Sequence, residues 1–441
     1  MKRPNILFIV ADDLGFADLG CYGGRDARFG PVSPVLDQLA AGGLKLTQGY
    51  ANSPVCSPTR FALMTARYQY RLRGAAEEPI NSRSRGSTTL GLPTDIPTLP
   101  SMLRDAGYRT ALVGKWHLGY PPSFGPLRSG YEEFFGPMAG GVDYFTHCTS
   151  NGMHDLWQGE EEHAQDGYLT DMITQRTIDY IRRRAAQARA GTPFFVSMHY
   201  TAPHWPWETR DDRALAEEVR SNLFHLHGGN IHTYQRMIHH MDEGIGQVVE
   251  ELRAQGLHDD TLIVFTSDNG GERFSDNWPL VGGKMDLTEG GIRVPWIAHW
   301  PAQVAPGGVS TQHCMTMDWS ATLLDVAGAA APPDHPLDGV SLRCLLQDSR
   351  AGFARPLFWR MNHRGQRALR SGDWKYLRVD GHDYLFNLAD DERERANHAR
   401  HQPERLQQMR TAWEDWNATM PPIPADATVS LGYSVQDMPQ R

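Results

Sequence analysis

The chain is poor in cysteine: five among 441 residues, at Cys21, Cys56, Cys148, Cys314 and Cys344, odd in number and without a Cys-x-x-Cys pair. That excludes a disulfide framework and a thiolate zinc site. There is no long basic run either, and 52 acidic residues against 43 basic ones leave a formal net charge of −9. Electrostatic capture of nucleic acid or of an anionic membrane is therefore not expected, although a few cations gathered in a cleft would still hold a small anion. Long apolar stretches are missing as well. The run Ile6-Leu7-Phe8-Ile9-Val10 behind Lys2-Arg3 is too short for a bilayer span or a secretory segment, and Asp12-Asp13 follow at once. It is expected to be a buried strand, and the protein cytoplasmic with no membrane partner.

What is present is a globular composition, 40% hydrophobic and 22% charged, which places the chain outside the disordered and fibrous classes. Continuous apolar runs at residues 5–11, 110–114, 194–198, 262–266 and 294–298 suit strands buried on both faces of a mostly parallel sheet. Helical patterns fall between them at 35–41, 98–106, 169–189, 232–255 and 319–327, with glycine stops at Gly107, Gly191, Gly256 and Gly328. The alternation predicts an α/β protein: a large doubly wound, mostly parallel sheet flanked by helices. After about Gly339 the pattern changes to a small antiparallel sheet and a helix near 402–417. The expected division is a catalytic domain at 1–339, a small C-terminal α+β subdomain at 340–420 and an extended, Pro-rich tail at 421–441.

In open α/β sheets, reactive groups collect at the C-terminal ends of strands. Two such ends are acidic here: the first run leads into Asp12-Asp13, and the 262–266 run leads through Ser267 into Asp268-Asn269-Gly270-Gly271. Either motif alone also suits a cap or a turn. Together they place three carboxylates and an amide side by side, an oxygen set that favours a hard divalent cation, Ca²⁺ or Mg²⁺, over zinc. A third element is Cys56-Ser57-Pro58-Thr59-Arg60, which leads into a helical segment. An isolated cysteine is usually a small buried hydrophobe, but a Cys-x-Pro-x-Arg run matches the signal by which sulfatases have an active-site cysteine oxidised to formylglycine.

Pro4-Asn5-Ile6-Leu7 through Asp12-Asp13, the Cys56 motif, Gly114-Lys115-Trp116-His117, Ala202-Pro203-His204, Ser267-Asp268-Asn269-Gly270 and Gly283-Lys284 with Glu289-Gly290-Gly291 follow one another in order. On these segments the chain resembles a type I, formylglycine-dependent sulfatase, of the arylsulfatase family within the alkaline-phosphatase-like superfamily. The resemblance implies that Asp12, Asp13, Asp268, Asn269 and the modified Cys56 hold one divalent cation, most often Ca²⁺. It also implies a formylglycine-generating or anaerobic sulfatase-maturating enzyme as a partner, and a small sulfate ester as substrate. One hydroxyl of the aldehyde hydrate would attack sulfur and the other would collapse the adduct to release sulfate. Asp268 would act as base toward the attacking hydroxyl, Arg60 would orient the hydrate, and His117, supported by Lys115, would serve the collapse step. His204 and Lys284 would hold sulfate oxygens, with His204 protonating the leaving oxygen. Three cationic side chains, two imidazoles and a divalent ion around three carboxylates would make the pocket positive in a net negative protein.

The chain departs from the family at Ala66 and Ala17, where glycine is common. Competing readings are a phosphonate monoester or phosphodiester hydrolase of the same superfamily, and a binding protein whose Cys56 is never converted. The first usually has a histidine where Asn269 stands. A cysteine phosphatase needs an arginine six positions after the cysteine, where Ala62 stands. Loops 140–167 and 205–230, with Trp157, Trp205 and Trp207, are the expected walls of the substrate cleft.

Overall fold

The structure, a computed structural model, describes residues 3–23, 30–220, 222–225 and 228–430. In chain order the first strands are β1 (Asn5–Ala11), β2 (Leu44–Leu46), β3 (Gly49–Tyr50), β4 (Arg109–Gly114), β5 (Glu133–Gly136), β6 (Trp157–Gln158), β7 (Glu161–Glu162) and β8 (Phe194–His199). They are followed by β9 (Thr261–Ser267), β10 (Trp296–His299), β11 (Gly308–Ser310) and β12 (Cys314–Met315). Ten of them form one sheet in the order β11-β2-β10-β9-β1-β8-β4-β5-β6-β7, while β3 and β12 pair separately. The apolar run at the start of the chain is the middle of that sheet, buried along its whole length and parallel to both neighbours, β8 and β9. Five of the expected strands are present, but β10 runs antiparallel to β9 and to β2. Its apolar content reports burial on two faces, which either strand direction satisfies.

The flanking helices agree with their patterns. The helix Ile231–Ala254 starts on Asn230, whose side chain accepts from the backbone N–H groups of His232 and Thr233. It buries Ile238, Met241, Ile245, Val248 and Leu252 against the sheet core. Its Asp242 reaches across to the first turn of the helix Pro34–Ala41, accepting from Val35 N–H at 2.9 Å and Leu36 N–H at 2.8 Å. The last core helix begins earlier than its pattern, at Thr316, because Asp318 accepts from the Met315 N–H at 2.6 Å and closes the first turn.

Four further strands, β13 (Leu357–Arg360), β14 (Arg367–Ser371), β15 (Trp374–Val379) and β16 (His382–Asn387), form an antiparallel meander backed by the helix Pro403–Ala418. This sheet belongs to a second apolar cluster that also takes in Tyr50, Val55, Cys56, Ala62, Met285 and Ile292. The helix carrying Cys56 is thus packed between two cores. Buried charge ties the same seam: Lys375 Nζ lies 2.9 Å from both Glu289 Oε1 and Glu394 Oε1, and the Tyr50 hydroxyl donates to Glu289 at 2.7 Å. Against burial, which raises it, Lys375, Arg370 and Arg293 hold Glu289 low, at about 2. Glu394 shares the same lysine and is pushed by burial to about 7.

The described part of the tail turns at Ala425-Asp426 and is docked rather than free: Val429 bridges in parallel to Glu78. Residues 431–441 lie outside the described residues.

Two predictions follow from this packing. Glu394 binds its proton more tightly in the folded chain, about 7 against an ordinary 4.5. Its stabilising contribution is therefore full below the lower value and lost as pH rises through the higher. Glu394→Gln is expected to flatten the decline of stability between those two values in denaturant titrations; an undiminished slope would refute the assignment. Ala66 sits at φ 54 in the left-handed region at the end of the Cys56 helix, so Ala66→Gly is expected to raise the unfolding free energy by ~1 kcal/mol.

Candidate active site

The pairing of β1 with β9 sets Ala11 opposite Ser267. Asp12-Asp13 and Asp268-Asn269, the residues next along each strand, therefore emerge together. Asp13 turns at φ 61, its N–H directed to Asp268 Oδ1 at 3.3 Å and its Oδ1 accepting from Asn269 Nδ2 at 2.7 Å. Cys56 is the first residue of the helix Cys56–Thr65 and is buried. Its sulfur and one oxygen each from Asp12 and Asp13 lie within 4.8 Å of one another. Asp268 stands beside this set, with Oδ2 held by Arg60 Nε at 3.0 Å and Nη2 at 2.9 Å.

Each acid has a cation. Lys115, just beyond β4, donates to Asp12 Oδ2 at 2.6 Å, and Lys284 donates to Asp13 Oδ2 at 2.7 Å. Even so, burial first, and then Asp268 and Asp13, push Asp12 well above the usual carboxylate range against the pull of Lys115. Two buried acceptors, Asp12 Oδ1 and Asn269 Oδ1, have no donor among the described residues. Hard oxygen ligands under like-charge stress are what a divalent cation binds, so the residues present fit one.

The histidines are fixed as well. His117 Nε2 lies 2.6 Å from the Ile80 carbonyl, to which it must donate, and its buried Nδ1 has no partner. Burial, with Lys115 and Arg60 adding to it, holds this ring well below its ordinary value, so it is neutral and Nδ1 is a free proton acceptor. His204 Nδ1 donates to the Trp205 carbonyl at 2.7 Å, which leaves Nε2 toward Asp13, 3.6 Å away. Burial pushes the Cys56 thiol up to about 11, which makes it a poor thiolate nucleophile at neutral pH.

Cys56, His117, His204 and Lys284 line one pocket of about 160 Å³. Over them lie Gly140 and Gly141, and a Cβ on Gly140 would come within 2.2 Å of the His117 ring. Of the three tryptophans expected in the cleft only Trp205 lines it, its ring tilted against His204 with centroids 4.0 Å apart. Trp207 is buried against Phe274, and Trp157 sits in β6.

The sequence reading missed two residues. His199, the last residue of β8, lies 3.2 Å from Arg60 Nη1; its place at a strand end beside β1 was the available signal. Glu272 lines the pocket near Lys284, raised by burial to about 7, and nothing in its local sequence marks it.

A family model described as "Sulfatase" matches residues 4–329. The chain belongs to the sulfatase family. A second model, "N-sulphoglucosamine sulphohydrolase, C-terminal", matches residues 283–407. Human N-acetylgalactosamine-6-sulfatase is 32% identical over 381 residues, 81% of this chain and 68% of its own length. Mouse arylsulfatase J is 34% identical across 77% of this chain and 55% of its own. Human steryl-sulfatase is 31% identical across 78% and 70%. Among solved structures, Ps i-CgsB in complex with k-i-k-neocarrahexaose superposes with a TM-score of 0.83 at 30% identity, covering 94% of this chain and 93% of that one. This sulfatase is by class an enzyme that hydrolyses sulfate esters, and the family generally uses a divalent metal and formylglycine.

Calcium or magnesium is expected to raise the melting temperature, by the equivalent of ~2.7 kcal/mol at a hundredfold excess over Kd. Asp12→Asn should abolish the increment, and scanning calorimetry with and without chelator reads both.

Proposed function

We propose that the protein hydrolyses the sulfate monoester of a polar, saccharide-like alcohol, with Cys56 converted to formylglycine and one Ca²⁺ or Mg²⁺ bound. The observation that carries this reading is the position of Cys56 at the pocket floor, within 4.8 Å of Asp12 and Asp13 and among Arg60, Lys115 and Lys284. Polar side chains on the walls, Asn81, Ser82, Thr149 and Ser150, support the leaving-group class. So does the saccharide bound by Ps i-CgsB.

Asp12, Asp13, Asn269 and, with its Oδ1, Asp268 would hold the cation. Bound there it would supply a positive charge for the sulfate and lower the pKa of a hydroxyl beside it. The converted residue would supply the hydroxyl nucleophile that a protonated thiol does not. Arg60 fixes Asp268 and so orients the base beside position 56. His117, with Nε2–H spent on Ile80, presents Nδ1 to take a proton from position 56. Lys284 and His204 face the same pocket at Asp13; Lys284 would bind a sulfate oxygen, and His204 would do so, and protonate the leaving oxygen from Nε2, as the imidazolium that Asp13 and the bound anion favour. Cys56 is 1% exposed and Pro58 and Arg60 are buried with it. The maturating enzyme would therefore act before the fold closes over the motif.

Mass spectrometry of the tryptic peptide ending at Arg60 measures conversion. Converted enzyme is then assayed for sulfate release from 4-nitrophenyl sulfate and the 6-sulfates of galactose, N-acetylgalactosamine and glucosamine, beside a matched aryl phosphonate monoester. Sulfate esters are expected to be preferred, and Cys56→Ser to cost at least ~10³ in kcat. Faster turnover of the phosphonate would transfer the assignment to the rival hydrolase, and an unconverted thiol in the native host would remove the enzymatic reading altogether.

A further inference from the structure

The C-terminal segment returns from the helix Pro403–Ala418 to the mouth of the pocket. Glu78 N–H donates to the Thr428 carbonyl at 2.9 Å, and Ser430 N–H to the Glu78 carbonyl at 2.8 Å. Thr428 N–H donates to Glu77 Oε2 at 3.1 Å, and Arg73 clasps Asp426 at 3.0 Å. The segment is thus paired through its backbone with Glu78, two residues before Ile80, whose carbonyl fixes His117 and whose N–H donates to Ser57 in the Cys56 helix.

That pairing delivers one side chain to the substrate space. Ser430 lines the pocket beside Asn81 and Ser82. Its Oγ accepts from Asn81 Nδ2 at 2.8 Å, while Asn81 Oδ1 is itself spent on the Arg83 N–H at 2.9 Å. With Oγ oriented in this way, the hydroxyl proton has no acceptor among the described residues. A donor held at a pocket wall, fixed from behind by an amide, discriminates leaving groups that carry an oxygen at that point from those that do not.

We propose that Ser430 is a specificity-determining residue: its hydroxyl donates to an oxygen of the leaving alcohol, and the docked segment 426–430 is one wall of the leaving-group site. The proposal rests on the sulfatase reading above, in that the alcohol of a sulfate ester occupies this pocket. It adds a contact that lies far from the catalytic motifs in sequence and comes from beyond the matched family models.

The test compares saccharide and aryl esters. In converted enzyme, Ser430→Ala is expected to lower the ratio of kcat/KM for the sugar 6-sulfates to kcat/KM for 4-nitrophenyl sulfate by about three- to tenfold, through KM. Ser430→Thr, which keeps the hydroxyl, should restore it. In the inert Cys56→Ser background, calorimetry with the same sugar 6-sulfates and with inorganic sulfate reads binding without chemistry. Ser430→Ala should weaken the sugars by the same factor relative to sulfate. Equal shifts for both ligands, no shift, or sugars that bind no better than inorganic sulfate would overturn the proposal. If converted wild-type enzyme releases sulfate from no ester, the functional reading falls, whereas the binding comparison still decides the role of Ser430.

Discussion

The site depends on one register. Parallel pairing of β1 with β9, Ala11 opposite Ser267, forces Asp12, Asp13 and Asp268 into a volume from which water is largely excluded. Like charges so placed repel strongly at low dielectric, and the surrounding architecture answers that repulsion. Lys115 leaves the end of β4, two strands from β1, to reach Asp12; Arg60 comes from the Cys56 helix to Asp268; Lys284 comes from the loop before β10 to Asp13. These cations are drawn from three separate elements, and each is useful only if the acids are where the central strands put them. The two central strands can be apolar over residues 6–11 and 262–265 because their carboxylates lie one residue beyond their ends.

The small C-terminal sheet serves the same centre from the other side. Its core is continuous with the residues around Cys56, and the Trp359 indole donates to the Ala51 carbonyl at 2.9 Å, a few residues before the Cys56 motif. Lys375 of β15 meets Glu289, the first residue of the short helix Glu289–Ile292 that follows the Lys284 loop. Buried ion pairs of this kind add little net stability, but breaking one is costly and their geometry is specific. The C-terminal sheet therefore fixes both the start of the Cys56 helix and the loop that carries Lys284.

What could be read from the sequence follows from this. Uninterrupted apolar strands ending in acids are a local pattern, so the carboxylate cluster, the Cys56 motif and the fold class were visible before any coordinates. Strand direction was not, because β10 is buried like the parallel strands β1, β8 and β9 although it runs against β9 and β2. His199 and Glu272 have no motif of their own and acquire a role only through β8 and the Lys284 loop. Gly140 and Gly141 fell in a loop read only as a wall of the cleft; contact with His117 and His204 explains why a side chain is excluded there. Ser430 lay in a segment legible only as an extended tail, since its role is created by backbone pairing with residues more than three hundred positions earlier.

The charge count bears on how the pocket works. At formal charge Asp12, Asp13 and Asp268 face Arg60, Lys115 and Lys284, three against three, while burial holds the His117 and His204 rings well below their ordinary values. The side chains alone therefore sum to about zero, and Glu272 beside Lys284 does not add positive charge. A divalent cation held by the carboxylates would supply the positive field expected for a sulfate ester pocket. Substrate anion and cation then favour each other's binding, a reciprocity required by linkage. It also explains how a protein of net charge −9 accepts an anion: the outer surface and the pocket are electrostatically separate, and the acids that dominate the composition are, at this one place, the means of collecting positive charge.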